Sequence, residues 1–137
     1  MNQAIFHLSF PVRCLAEARD FYCGVLGATV GRDAGDWMDV LLFGHQLTLH
    51  ERPDEVLSPA DRGVRHFGAI LPWEQWQTLG ARLVAQGHAF LMPPTVAKSG
   101  TDEEQGKMLL CDPSDNLVEI KAYRHLAAVL GSGICAP

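Results

Sequence analysis

The chain has 137 residues, 47% hydrophobic and 20% charged, with a net charge of −5. That length fits one compact domain or two small halves sharing a core. The acidic balance gives no basis for binding nucleic acid or an anionic membrane, and no apolar run is long enough to span a bilayer. The N-terminus lacks the basic start and apolar run of a signal peptide. Four scattered cysteines without a C-x-x-C pair read as free, mostly buried or half-buried thiols in a cytoplasmic protein.

The first predicted element is a strand over residues 4–11. Ile5, His7 and Ser9 fall on one face and Phe6, Leu8 and Phe10 on the other. Pro11 is expected to end the strand, because it cannot donate to a ladder. A helix is predicted over 15–26, where Leu15, Ala18, Tyr22 and Val25 recur at helical spacing and Gly27 supplies the stop. Strands follow at 28–31, 37–43 and 46–51, separated by turn residues at 33–36 and 44–45. Residues 52–64 are polar, hold Pro53, Pro59 and Gly63, and read as a linker.

A second strand and helix begin at once. Residues 65–71 predict a strand that contains His66. Residues 73–86 predict a helix with Trp76, Leu79 and Leu83 on its apolar stripe and Gly87 after it. A short strand is expected at 88–92, then a long polar loop at 93–106 that reads as a solvated connector, with a lid over the cavity as the alternative. Closing strands are expected at 107–111 and 117–123, joined by the turn Asp112-Pro113-Ser114-Asp115-Asn116. The tail, 124–137, has a stretch at 125–130 that predicts a short helix.

The order is strand, helix and three strands, written twice, as module one at 4–51 and module two at 65–123. His7 to His66 is 59 positions and Gly27 to Gly87 is 60, which supports a repeat. An α+β fold follows: two small mixed sheets with helices on their outer faces, in a single domain over 1–137. If the apolar face of each strand packs on its helix, the other face lines a shared cavity. That face carries His7, Ser9, His66, Gly68, Ile70, Glu119, Lys121 and Tyr123, joined by Gln46, Thr48 and His50 from the fourth strand of the first module.

Two histidines at matching points of a repeat, with a carboxylate, point to a metal centre. Glu119 stands in the otherwise apolar run Leu117-Val118-Glu119-Ile120, where a carboxylate is costly to bury unless paired or metal-bound. His7, His66 and Glu119 are the expected ligands, since metal sites need several converging donors. His50 is expected as an acid/base or a fourth ligand, because an imidazole titrates near neutrality. Tyr123 is the second candidate catalytic group, and Ser9, Thr48 and Lys121 are the candidate substrate contacts. His45, after Gly44, is expected in a turn role, and Trp37 as a cavity wall or dimer contact.

These residues resemble the vicinal oxygen chelate superfamily, which holds glyoxalase I, fosfomycin-resistance proteins, bleomycin-binding proteins and extradiol dioxygenases. The resemblance rests on His7, on the A-x-x-F-Y-x-x-x-L-G run from Ala18 to Gly27, on His66, and on the D-P-x-x-N turn from Asp112 to Asn116 that leads to Glu119. It covers all but the last dozen residues. It implies paired βαβββ modules, each forming half of an open barrel around a divalent metal held by His7, His66 and Glu119, in a homodimer. The chain looks most like small bacterial dioxygenase-like members. Two positions depart from the pattern. Cys14 stands where an Asp or Asn often caps the first helix. Gln46, Thr48 and His50 stand on the strand from which glyoxalase I enzymes usually add a glutamate.

Two histidines and one carboxylate leave three coordination positions open. With Fe(II), a catecholate-type substrate and O₂ fit those positions for ring cleavage. With Mn, Ni or Zn, the same set would polarise a carbonyl or stabilise an enediolate. The expected function is therefore a divalent-metal-dependent enzyme on a small oxygen-chelating substrate, extradiol-dioxygenase-like, with Fe(II) favoured. A glyoxalase-type lyase or isomerase, or a thiol transferase, with a non-redox metal is the alternative, followed by a protein that sequesters a small molecule.

Overall fold

A computed structural model describes residues 3–125 and 127. The chain divides into two compact units, Met1–Arg65 with Cys111–Asn116, and His66–Leu110 with Leu117–Pro137. No helix among the described residues is long and apolar enough to cross a membrane.

The first unit holds β1 (His7–Val12), α1 (Leu15–Arg19), β2 (Thr29–Asp33), β3 (Trp37–Leu42) and β4 (His45–Glu51). Its sheet runs β1-β4-β3-β2, with β1 parallel to β4 and the other pairs antiparallel. α1 passes into a π-helical segment, Asp20–Val25, in which the Leu26 N–H reaches back five residues to the Phe21 carbonyl. Cys14 gives α1 no side-chain cap, and Glu51 on β4 supplies one instead, accepting from the Leu15 N–H at 2.9 Å. A single 3-10 turn, Pro53–Glu55, and the short α2 (Pro59–Arg62), capped by Ser58, lie inside the predicted linker.

The second unit holds β5 (Phe67–Leu71), α3 (Trp73–Ala85), β6 (Met92–Ala97), β7 (Gln105–Cys111) and β8 (Leu117–Tyr123). Its order, β5-β8-β7-β6, repeats that of the first, and β5 is parallel to β8 as β1 is to β4. The fold is thus α+β, two βαβββ modules each with a four-stranded mixed sheet. α3 packs on β8 through Trp76, whose indole N–H donates to the Ile120 carbonyl at 3.0 Å. A Cβ at Gly106 would stand 2.5 Å from the Trp76 ring, so only glycine lets β7 pass beneath it.

Two of the strand expectations fail at proline. β1 does not stop at Pro11 but continues to Val12, and β6 is not at 88–92 but at Met92–Ala97, through Pro93 and Pro94. Both strands lie at sheet edges, where an absent N–H breaks no ladder, and β6 also shifts register between Met92 and Thr95. The long loop therefore shortens to the segment 98–104, and that segment is tied down. Glu104 is buried, accepts from the Gly100 N–H at 2.9 Å and meets Arg124 Nε at 3.4 Å. A fixed connector accounts for it better than a lid. Most of the predicted tail helix at 125–130 lies outside the described residues. Cys14 and Cys23 are half-buried free thiols and Cys111 is an exposed one; Cys135 lies outside the described residues.

The A-x-x-F-Y and D-P-x-x-N motifs meet inside the first unit. The Tyr22 hydroxyl donates to Asp112 Oδ2 at 2.8 Å, and Asp112 also accepts from the Ser114 and Asn116 backbone N–H groups at 2.8 and 2.9 Å and from Asn116 Nδ2 at 2.9 Å. Burial, reinforced by the Asp112 carboxylate, pushes the Tyr22 phenol well above its usual pKa and keeps it a donor.

Candidate functional site

In the first unit the strand alternation behaves as read. Met38, Val40 and Leu42 on β3 and Leu47 and Leu49 on β4 are buried against the helical side. Their alternates form the opposite face in two rows across the strands: Ser9, Thr48 and Asp39 in one, Pro11, His50 and Trp37 in the next. His7 opens β1 opposite Gln46, and its Nδ1 lies 2.8 Å from Gln46 Oε1. With the ring proton on Nδ1, Gln46 accepts it and fixes the ring, leaving Nε2 as a metal-binding lone pair.

Asp39 is the residue that sequence reasoning missed. It is 2% exposed, accepts from the Thr48 hydroxyl at 2.7 Å and from Arg32 Nε at 2.6 Å, and so has both oxygens committed. Burial pushes this carboxyl up, but the Thr48 and Arg32 hydrogen bonds, the Arg32 charge and nearby His7 outweigh it and hold the pKa below the ordinary value. The signal was present in Trp37-Met38-Asp39-Val40-Leu41-Leu42, a lone acid in an apolar strand, as at Glu119.

His50 is half-buried, with its ring 6.5 Å from that of Trp37. It lines an open depression of about 270 Å³ together with Ser9, Phe10, Pro11, Arg52 and Glu55. His45 lies not in the turn but at the first position of β4, where it is exposed, and its Nδ1 accepts from the Phe6 N–H at 3.0 Å and secures the start of β1.

In the second unit, His66 precedes β5 and Glu119 lies on β8. His66 Nε2 stands 3.0 Å from Glu119 Oε2, with the imidazole 43% and the carboxylate 15% exposed. Lys121 Nζ lies 4.0 Å from Glu119 Oε1 and 5.2 Å over the Tyr123 ring. Four of the predicted residues are therefore neighbours, with Glu119, Lys121 and Tyr123 alternating along one face of β8 and His66 beside Glu119. Gly68 pairs with Glu119, and a Cβ there would collide with the Glu119 carbonyl oxygen, so glycine is what brings β5 this close to β8.

Among the described residues, no group of three His, Cys, Asp or Glu side chains is arranged to hold a metal ion. The donor chemistry nevertheless fits one. His66 and Glu119 offer an imidazole nitrogen and a carboxylate oxygen in contact, donor types that a divalent metal takes, and within the first unit His7, steadied by Gln46, offers an imidazole nitrogen of its own.

The chain matches the Glyoxalase/Bleomycin resistance protein/Dioxygenase superfamily over residues 4–120. Among solved structures it is similar to a glyoxalase/bleomycin resistance protein/dioxygenase from Alicyclobacillus acidocaldarius, at 32% identity and a TM-score of 0.80 over 91% of this chain and 95% of that one. The fosfomycin resistance protein FosX of Listeria monocytogenes shares the fold at 16% identity and a TM-score of 0.67, over 89% of this chain and 94% of that one. The virulence protein STM3117 of Salmonella typhimurium does so at 20% identity and a TM-score of 0.62, over 90% of this chain and 98% of that one. A search of curated proteins found no match. The chain belongs to the Glyoxalase/Bleomycin resistance protein/Dioxygenase superfamily.

Proposed function

We propose that this member of the superfamily is a divalent-metal-dependent enzyme for a small substrate that chelates through two oxygens, with the reaction of an extradiol dioxygenase. The observation that carries the reading is the 3.0 Å contact of His66 with Glu119, joined to His7 at the matching point of the other module. His7, His66 and Glu119 would hold the metal, Fe(II) for this reaction, and Gln46 would set the tautomer of His7. When bound, the metal supplies Lewis acidity and, as iron, redox chemistry with O₂.

The protein's own groups define the substrate further. The Thr48 hydroxyl proton is committed to Asp39, so Thr48 turns lone pairs outward and accepts from a substrate O–H. Lys121 has only donors and suits an oxyanion. Ser9, beside Thr48, can donate or accept. His50, an imidazole, and Tyr123, a phenol, are the groups we assign to proton transfer. We expect a homodimer in the cytoplasm.

Metal analysis of the native protein, then anaerobic Fe(II) loading and oxygen uptake on a panel of catechols, tests the reading. About one metal per chain is expected, falling to a small fraction in His7→Ala, His66→Ala and Glu119→Ala. If no metal binds and His7→Ala changes nothing, the enzyme reading fails and sequestration of a small molecule replaces it. Metal without oxygen uptake moves the assignment to a lyase, isomerase or thiol transferase with a non-redox metal.

A further inference from the structure

β2 is bulged opposite Asp39. Val30 pairs with Val40 and Asp33 with Met38, so Gly31 and Arg32 together stand against Asp39. Two residues opposing one is a β-bulge, which re-aims a side chain that regular alternation would send elsewhere. Regular pairing would set Arg32 on the face of Met38 and Val40, among buried apolar groups. With the bulge, Arg32 joins the face of Asp39 and Trp37. Its Nε lies 2.6 Å from Asp39 Oδ2 and its guanidinium carbon 5.1 Å over the Trp37 ring. Gly31 permits the approach, since a Cβ there would already stand 3.3 Å from the Asp39 Cβ.

Strand packing alone does not call for this pair. An apolar residue at 39 would avoid desolvating a carboxylate, and such replacements of buried pairs are often neutral or stabilising. The pair is also lopsided: the Asp39 side chain is 3% exposed and that of Arg32 71%. The carboxylate is used up, whereas the guanidinium is held by its Nε edge and braced by Trp37, with the Nη1/Nη2 edge left to solvent. A side chain restrained in this way loses little entropy when it binds.

We propose that Arg32 anchors a carboxylate or phosphate-type oxyanion on the substrate through paired hydrogen bonds from Nη1 and Nη2. Trp37 and His50 continue the wall beside it, which suits a small organic anion with a planar or apolar body. The proposal deepens the reading of this strand face as the substrate site and rests on it, but it needs no metal.

The test is calorimetric titration of the full chain, stripped of metal by a chelator, with benzoate, inorganic phosphate and the uncharged benzamide. At least one anion should bind and benzamide should not. Arg32→Lys keeps a positive charge against Asp39, and so keeps the fold, but lacks the second row of N–H donors. It should weaken anion binding about tenfold or more with an unchanged melting temperature, while Arg19→Met on the helix leaves it within about twofold. Equal binding by Arg32→Lys and wild type, equal binding of benzamide, or no binding of either anion overturns the proposal. Because the readout uses neither metal nor turnover, failure here leaves the metal reading standing, and absence of metal from native protein leaves this one standing.

Discussion

Asp112→Ala removes a carboxylate that is 3% exposed and accepts from Tyr22, from the backbone N–H groups of Ser114 and Asn116, and from Asn116 Nδ2. The cost follows from what is stranded. Tyr22 is 0% and Ser114 2% exposed, so their donors lose the acceptor with no water to replace it, at roughly 1–3 kcal/mol each. The Asn116 donors are half-buried and can be partly rehydrated. A loss of about 3–5 kcal/mol follows, or roughly 10–20 °C in melting temperature for a chain of this size. Tyr22→Phe should cost only about 1 kcal/mol, because it removes the hydroxyl outright and leaves Asp112 three donors. In the double variant neither the stranded hydroxyl nor its lost hydrogen bond counts, so its loss should fall short of the sum by roughly 2–4 kcal/mol. Urea melts with unchanged slope give all three values. If Asp112→Ala costs under about 1 kcal/mol, or Tyr22→Phe costs as much as Asp112→Ala, the turn and the helix are not joined through this carboxylate.

Gln46→Leu should leave the melt unchanged but weaken metal affinity about 10- to 100-fold, measured by competition with a chelator; unaltered affinity would remove Gln46 from the support of His7. Gly68→Ala forces a Cβ against backbone and should cost about 2 kcal/mol while shifting the Glu119 amide resonance; a wild-type melt and spectrum would refute the close approach. For Asp39 the folded pKa lies below the ordinary one, so its stabilisation is present above about pH 4 and is lost as pH falls through the lower, folded value. Asp39→Asn should flatten stability against pH across that window in acid melts, and an unchanged slope would deny Asp39 its partners.

The fold was legible where apolar periodicity ran long. The helix expected at 73–86 appears at Trp73–Ala85, and the strand carrying Glu119 appears at Leu117–Tyr123 as read. The reading failed where the outcome depended on neighbours in the sheet. Proline breaks a central ladder but not an outer one, and nothing local to Pro11, Pro93 or Pro94 says which strand will be outermost. The bulge in β2 is equally silent. Gly-Arg-Asp reads as the end of a strand until Val30 and Asp33 are seen to pair with residues two apart on β3. Asp39 is a different case, because the reasoning that selected Glu119 selects it too.

The two acids also answer why the repeat is unequal. Ser9 pairs with Thr48 as Gly68 pairs with Glu119, so Thr48 is the true counterpart of Glu119, and the first unit carries its acid one strand further on. That shift changes what the acid can do. Asp39 gives one oxygen to Thr48 and the other to Arg32, whose full charge neutralises it. Binding a metal there would mean taking a buried carboxylate away from both its Thr48 and its Arg32 hydrogen bonds. Glu119 has an imidazole beside one oxygen and only a 4.0 Å ammonium near the other. Of these two strand carboxylates, Glu119 is the one whose oxygens are less fully committed. Under the proposed metal reading this favours one carboxylate with two histidines over two carboxylates, and it leaves Asp39 bound to Arg32.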